Sequence, residues 1–386
     1  MFRLLSLFLL VPLVLTASES FQSSKICKGC HPLIYAEYQE SMHRKSSIFN
    51  DPVHRAVWEK HPLLKKKRYS CAKCHTPSDT KLMKALKSNR PALPEPNEIQ
   101  KEEPIGCTYC HRIEQIERGE KSNSNTISQK ERTYFAAKEG KRENRVVRYH
   151  KTSDMMGLSK KSEGSPFHVI DYSNLNFSNG KMCLGCHEYK KNGKGFTVCT
   201  MDLERSKKGK TNCITCHMPQ VAGAISTLSE GGSHAYHGFS GLHNRPELLA
   251  KYIEIDVSSS DEGISVTLKN KADHTLFAHP VRVGELHTEV VRGDRRIELP
   301  TVYFYTKLGK DGKPAMPWDA DSVLSQNRIE AHETFKKSFS FKTAPGDKIT
   351  VTLGYRIVNP KAAQKLGIEP GELTALKVLA KRTVRF

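Results

Sequence analysis

Ten of the eleven cysteines in this chain fall in five Cys-x-x-Cys-His runs: Cys27–Cys30–His31, Cys71–Cys74–His75, Cys107–Cys110–His111, Cys183–Cys186–His187 and Cys213–Cys216–His217. Two thiols three residues apart can each form a thioether with one vinyl group of a haem, and the histidine that follows directs its imidazole at the iron. Each run therefore both attaches and ligates, which implies five covalently bound haem c groups. Zinc ribbons also use paired Cys-x-x-Cys, but zinc does not require a histidine after every second cysteine. A disulfide framework would leave all five histidines unexplained. Cys199 stands outside the pattern and reads as a buried thiol.

The elements that must position these runs divide the chain in two. The motifs lie between Cys27 and His217, in a stretch with little strand patterning and modest helical segments at Pro32 to Ser46 and Pro52 to Lys60. Gly119 to Asn144, rich in Lys, Ser, Asn and Glu, reads as an exposed loop, and Lys65 to Arg68 as a solvated face. From Lys251 apolar residues recur at every second position, as in Ile253, Ile255, Val257, then Ile264, Val266, Leu268, and later Ile349, Val351, Leu353, Tyr355. With Leu286 to Val291, Ile297 to Leu308, the Phe339 and Phe341 pair, and Leu376 to Phe386, this predicts about seven strands. Asn359, Pro360 and Gly367 mark the cap, first turn and end of a short helix. The expected fold is multidomain: a mainly α or irregular multihaem cytochrome c domain over residues 19–248, followed by an all-β, immunoglobulin-like sandwich over residues 249–386.

Residues 1–18 read as a signal peptide, with Arg3 as the positive start, an apolar run from Leu4 to Leu15 and a small-residue cleavage point at Ala17 or Ser18. The mature protein is then expected in the periplasm or at the cell surface. The apolar fraction is 37%, thin for a conventional core of this length, and five haems would supply the missing bulk. The formal charge is +20, and ionised haem propionates would offset about a quarter of that excess. The remainder favours acidic redox partners or an anionic substrate, and export makes nucleic acid an implausible partner.

Seventeen histidines leave twelve after the proximal five. The stretches CKGCHPLIYAEYQESMH, HVIDYSNLNFSNGKMCLGCHE and CITCHMP followed by HGFSGLH resemble the multihaem cytochromes related to the nitrifier tetrahaem cytochrome c and hydroxylamine oxidoreductase. The resemblance runs from about Ile26 to His243 and extends more weakly to NKADHTLFAHPVR. It implies His43, His168, His237, His243 and His274 as distal iron ligands. Asp273 and His279 stand where the related sequences usually carry Gly, which leaves His279 as an alternative to His274. His54, His61 and His150 have only sequence proximity to recommend them, and His234, His287 and His332 read as structural. With this supply of histidine, Met156, Met182 and Met218 are not needed as ligands.

Irons saturated by two histidines carry electrons, whereas an open sixth position permits catalysis. The reading this favours is an electron carrier between redox partners, such as a membrane quinol-oxidising cytochrome and a terminal reductase. Two alternatives are an oxidoreductase with one open haem acting on a small nitrogen or sulfur compound, and a surface conduit docked through its sandwich. No Cys-x-x-Cys-Lys run occurs, so one signature of a nitrite-reducing haem is missing.

Overall fold

The computed structural model describes residues 21–137, 143–153, 160–201, 212–229 and 231–386. The expected leader and Met156 lie outside them. Every attachment run winds into a single helical turn: Ser24–Lys28 runs into the first, and Ala72–His75, Cys107–Cys110, Leu184–His187 and Cys213–His217 hold the others. His31, His75 and His111 donate their backbone N–H to the first cysteine of their own runs at 2.8 to 3.0 Å. A helical turn places residues i and i+3 on one face, so both thiols of a run point the same way. Asn212 caps the last turn through Ile214 N and Thr215 N. Gly180, at φ +71°, lies so close to the Cys213 nitrogen that a Cβ there would sit 3.1 Å from it. A larger residue would push the fourth run away from the fifth.

Between these turns the chain is tied by short elements. The helical stretch expected from Pro32 to Ser46 is two helices, Pro32–Glu40 and Met42–Lys45, because Ser41 breaks the first and caps the second by accepting from Arg44 N. Pro52–Glu59 is a helix as expected, capped by Asp51. The polar stretch after Gly119 is more ordered than its composition suggests. Ser124–Ile127 forms an antiparallel ladder with Ile113–Glu117, and Thr133–Phe135 pairs in parallel with Val169–Asp171. Ser122, Asn123, Ser128 and Phe135 are buried there, so polar composition masked a packed hairpin.

The second part carries ten strands where about seven were expected: β1 (Ile253–Ser260), β2 (Gly263–Asn270), β3 (Val283–Arg292), β4 (Arg295–Glu298), β5 (Val302–Lys310), β6 (Lys313–Pro314), β7 (Ser322–Asn327), β8 (Thr334–Phe339), β9 (Lys348–Arg356) and β10 (Lys377–Arg385). The extra strands are short, and β6 spans only two residues, below the length at which alternation can be read. One antiparallel sheet runs β1-β2-β8 and the other β6-β5-β3-β9-β10, with β4 on β3 and β7 on β5. Alternate residues of both sheets meet in one core. Ile264, Val266 and Leu268 come from the first, and Leu286, Val290, Phe304, Ile349, Val351 and Leu353 from the second. The helix Pro360–Leu366 follows β9, with Asn359 accepting from Lys361 N and Gly367 at φ +72° closing it.

Among its described residues the first part has no comparable core. Its buried apolar residues form two small groups, one around Trp58, Tyr69, Ala72 and Leu82 and one around Tyr109, Ile113, Phe135 and Phe177. The two parts are joined closely. Asn192 donates to the carbonyls of Pro317 (3.0 Å) and Ala320 (2.7 Å), Tyr355 donates to Leu242 O at 2.5 Å, and the His61 ring packs 5.2 Å from Trp318. Among the described residues no helix is long and apolar enough to cross a membrane.

Candidate haem sites

An imidazole nitrogen bonds a transition metal at about 2 Å, and the ring centre lies about 1 Å behind it, so two histidines on opposite sides of one iron hold their ring centres about 6 Å apart. Four of the five proximal histidines meet such a partner. His31 faces His168 at 6.3 Å, His43 faces His187 at 6.0 Å, His111 faces His237 at 6.2 Å, and His217 faces His274 at 6.1 Å. The partners come from segments 57 to 144 residues away, so this spacing is a product of the tertiary fold.

The hydrogen bonds agree with the spacing. His31 Nδ1 donates to Ile225 O (2.7 Å), His111 to Phe135 O (2.7 Å) and His217 to Ser240 O (2.6 Å). His237 donates to Ala235 O (2.6 Å) and His274 to Thr275 O (3.1 Å). A carbonyl can only accept, so the proton sits on Nδ1 and Nε2 keeps a free lone pair, the tautomer that binds a metal. Burial pushes His43 and His237 down to about 3, which keeps both imidazoles neutral. Desolvation also lowers His187 from its usual value, although its side chain remains accessible. These rings, with thiols beside them, fit haem.

The thiols also reveal how the sites adjoin. Cys27 lies within hydrogen-bonding reach of Cys107, Cys74 of Cys186, and Cys183 of Cys213, while Cys110 interacts with Cys183 and Cys186. Among the described residues no disulfide joins any of the eleven cysteines. The first attachment site is therefore next to the third, the third next to the fourth, and the fourth next to both the second and the fifth.

The second site differs. His75 Nδ1 donates to Ser46 O at 3.2 Å, but its nearest ring, His54, is only 3.9 Å away, too close for an iron between them. His54 has both nitrogens engaged, Nδ1 on Ser46 O and Nε2 with the Tyr69 hydroxyl, so it packs beside the proximal imidazole. No other described ring faces His75 at the two-imidazole spacing. His279 and the carboxylate of Asp51 interact with it electrostatically.

The remaining sequence candidates fall as follows. His243 meets no proximal ring at that spacing; it lies near Arg282, Lys377 and Lys45, and burial lowers it to about 4. His234 is held at both nitrogens, by Gly223 O and Glu37, and His332 by Asp273. His287 bonds Glu285 and Thr301, and His150 is exposed. His61 stacks on Trp58, with Nδ1 accepting from Leu63 N. Cys199 is half-buried on the strand Thr197–Thr200, where burial raises its thiol. Met218 is buried.

Sequence reasoning missed Phe239. Phe239 stands edge-on 4.1 Å from the His43 ring at φ +56°, a strained backbone for a bulky residue, and also touches His237. Nothing in its type announces that role.

Residues 26–112 match the model of the family described as cytochrome c554 and c-prime. No curated protein matches the chain. Among solved structures the fold is similar to a penta-haem cytochrome c552 from Thermochromatium tepidum, with a TM-score of 0.68 and 21% identity over 94% of this chain and 99% of that one. The motif set, the paired imidazoles and these two likenesses support a multihaem c-type cytochrome with covalently attached haem c. More particularly, 87 residues near its start match the cytochrome c554 and c-prime model, while the fold as a whole is similar to that of the Thermochromatium tepidum protein.

Proposed function

We propose that this chain is an exported pentahaem electron carrier, working in the periplasm or at the cell surface between redox protein partners. The carrying observation is the set of four imidazole pairs at 6.0 to 6.3 Å, in which His168, His43, His237 and His274 serve as sixth ligands opposite His31, His187, His111 and His217. Haem iron passes single electrons by alternating between its ferric and ferrous states. The protein's part is to close the iron to other ligands, fix the imidazoles of His31, His111, His217, His237 and His274 through their Nδ1 hydrogen bonds, and set neighbouring sites within reach. The thiol contacts support a conduit from the first site through the third to the fourth, branching to the second and fifth.

The C-terminal unit is read as an immunoglobulin-like sandwich. Its β1-β2-β8 and β5-β3-β9-β10 orders follow the A-B-E and C′-C-F-G pattern of that architecture. It contributes His274 and is thereby part of the conduit. The kinship to hydroxylamine oxidoreductase rests on the quoted motif segments. Net charge favours acidic redox partners, among them a membrane quinol-oxidising cytochrome as donor and a terminal reductase as acceptor.

A second reading has its own support: among the described residues no histidine faces His75 at the spacing of the other four pairs, which favours an open iron there and chemistry on a small nitrogen or sulfur compound. The test of both is an electron paramagnetic resonance spectrum of the intact ferric protein with a haem count per chain. Five haems with four low-spin irons and one high-spin iron are expected. Fewer haems, or several high-spin irons, would defeat the assignment.

A further inference from the structure

Ser46 stands between two histidines assigned to different haems. Its hydroxyl lies within hydrogen-bonding reach of two carbonyls, His75 O at 2.6 Å and His43 O at 3.1 Å, which ties the turn of the second attachment run to the helix that carries His43. The residue is buried. Its own carbonyl oxygen meets two imidazoles at once, His54 Nδ1 at 2.9 Å and His75 Nδ1 at 3.2 Å. A carbonyl oxygen has two lone pairs and no proton, so both rings donate to it.

His54 is held in that role by its surroundings. Asp51 caps the Pro52–Glu59 helix by accepting from Val53 N (2.9 Å) and His54 N (3.1 Å), which sets the backbone. The Tyr69 hydroxyl lies 3.3 Å from His54 Nε2, and because Nδ1 carries the proton, Nε2 accepts. Tyr69 is fully buried, stacks on the His54 ring and meets Trp58 edge-on at 4.9 Å. With both nitrogens engaged and its ring centre 3.9 Å from that of His75, His54 is a neighbour of the proximal imidazole and not a ligand.

Other proximal histidines have their carbonyls to themselves. His31, His111 and His217 bond Ile225 O, Phe135 O and Ser240 O at 2.6 to 2.7 Å, and no second described imidazole meets those oxygens. The bond from His75 is longer and ends on an oxygen that the nearer His54 also engages. A hydrogen bond from the outer nitrogen raises the basicity of a metal-bound imidazole, and such bonds are a lever on haem potential. A more basic ligand favours ferric iron over ferrous. Weakening the bond has the opposite effect.

We propose that His54 is a positioning residue which, by sharing the Ser46 carbonyl, weakens the hydrogen bond behind His75 and raises the reduction potential of the second haem. This rests on the reading that Cys71, Cys74 and His75 hold a haem, and not on whether its iron is open. A raised potential at a side branch of the conduit makes the second haem a place where an electron rests.

The test is a potentiometric titration of the holoprotein, followed by haem absorbance, in wild type, His54→Phe and His54→Asn. Phenylalanine keeps a ring against Tyr69 and donates nothing, which leaves Ser46 O to His75 alone. One haem potential should then fall, by about 59 mV for a change on the order of tenfold in the ferric-to-ferrous ratio, and the others should stay. Replacing a polar ring by an apolar one would by itself raise the potential, so the sign separates the hydrogen bond from packing. Asparagine offers an amide donor near the place of Nδ1 and should hold the potential close to wild type. His54→Leu repeats the test with a smaller side chain where phenylalanine lowers haem content. An unmoved or raised potential in the variants without a donor, or an equal fall in His54→Asn, would overturn the shared-carbonyl role. Peptide mass spectrometry that finds no haem on Cys71 and Cys74 of the wild type would instead defeat the reading beneath it.

Discussion

Replacing His274 with glycine should open the iron of the fifth site and no other. His274 lies in the loop between β2 and β3, and its ring centre is 6.1 Å from that of His217, with the two planes 20° apart. The substitution removes one of two axial nitrogens, so the high-spin signal should grow from one iron per chain to two. The variant also loses the hydrogen bond from Nδ1 to Thr275 O, worth about 1 kcal/mol net, beyond the metal–ligand contribution. β2 and β3 are anchored in the sandwich core by Leu268 and Leu286, both fully buried, so the loop's ends should stay in place and leave a ring-sized space at the iron. Added imidazole should then refill that space, so that the high-spin signal gained by the substitution is lost again. The assay is spin quantitation by electron paramagnetic resonance before and after imidazole, with haem content as the control. A variant that keeps wild-type spin counts would show that another side chain ligates this iron and would refute the pairing inferred from ring spacing.

Further outcomes are expected elsewhere. The His43 and His187 planes cross at 67°, so their iron should give the large-g signal of crossed imidazoles, whereas His111 with His237, at 17°, should give an ordinary rhombic one; His43→Gly should abolish the former alone. Phe304→Ala should cost about 3–5 kcal/mol in chemical denaturation of the sandwich, because Phe304 is fully buried against Phe277 and Phe335. Glu285 bonds Arg356 at 2.5 Å and His287 at 2.8 Å. Burial pushes its carboxyl up, but these two partners outweigh burial and hold it below its usual value. A carboxyl depressed in the folded state stabilises the fold above its unfolded value and loses that contribution as pH falls through the folded one. Glu285→Gln should therefore weaken the fold at neutral pH and flatten the acid limb of a stability profile below about pH 4.5; an unchanged profile would show that the pair contributes nothing.

The attachment chemistry was legible from spacing because it is local. A Cys-x-x-Cys-His run closes one helical turn, and that turn alone aims both thiols and the imidazole. The sandwich strands were legible for a similar reason: a period of two survives wherever one face is buried, as in Ile349, Val351, Leu353 and Tyr355. Where a strand was too short, as in β6, or its residues polar, as in Ser124–Ile127, the pattern carried no signal and the element went unread.

The facing histidines belong to another kind of information. Resemblance named His43, His168, His237, His243 and His274 together, and nothing in their local sequence separates His243, which meets no proximal ring at ligand spacing, from the other four. His279 and His237 likewise differ only in which backbone group their Nδ1 meets, a carbonyl for one and an amide for the other. The sequence by itself determined how many haems can be attached and which histidine stands behind each. Tertiary structure decided which of those histidines meet a second imidazole at ligand spacing and which sites adjoin, because those relations are made by segments tens to more than a hundred residues apart and depend on where the folded backbone brings them.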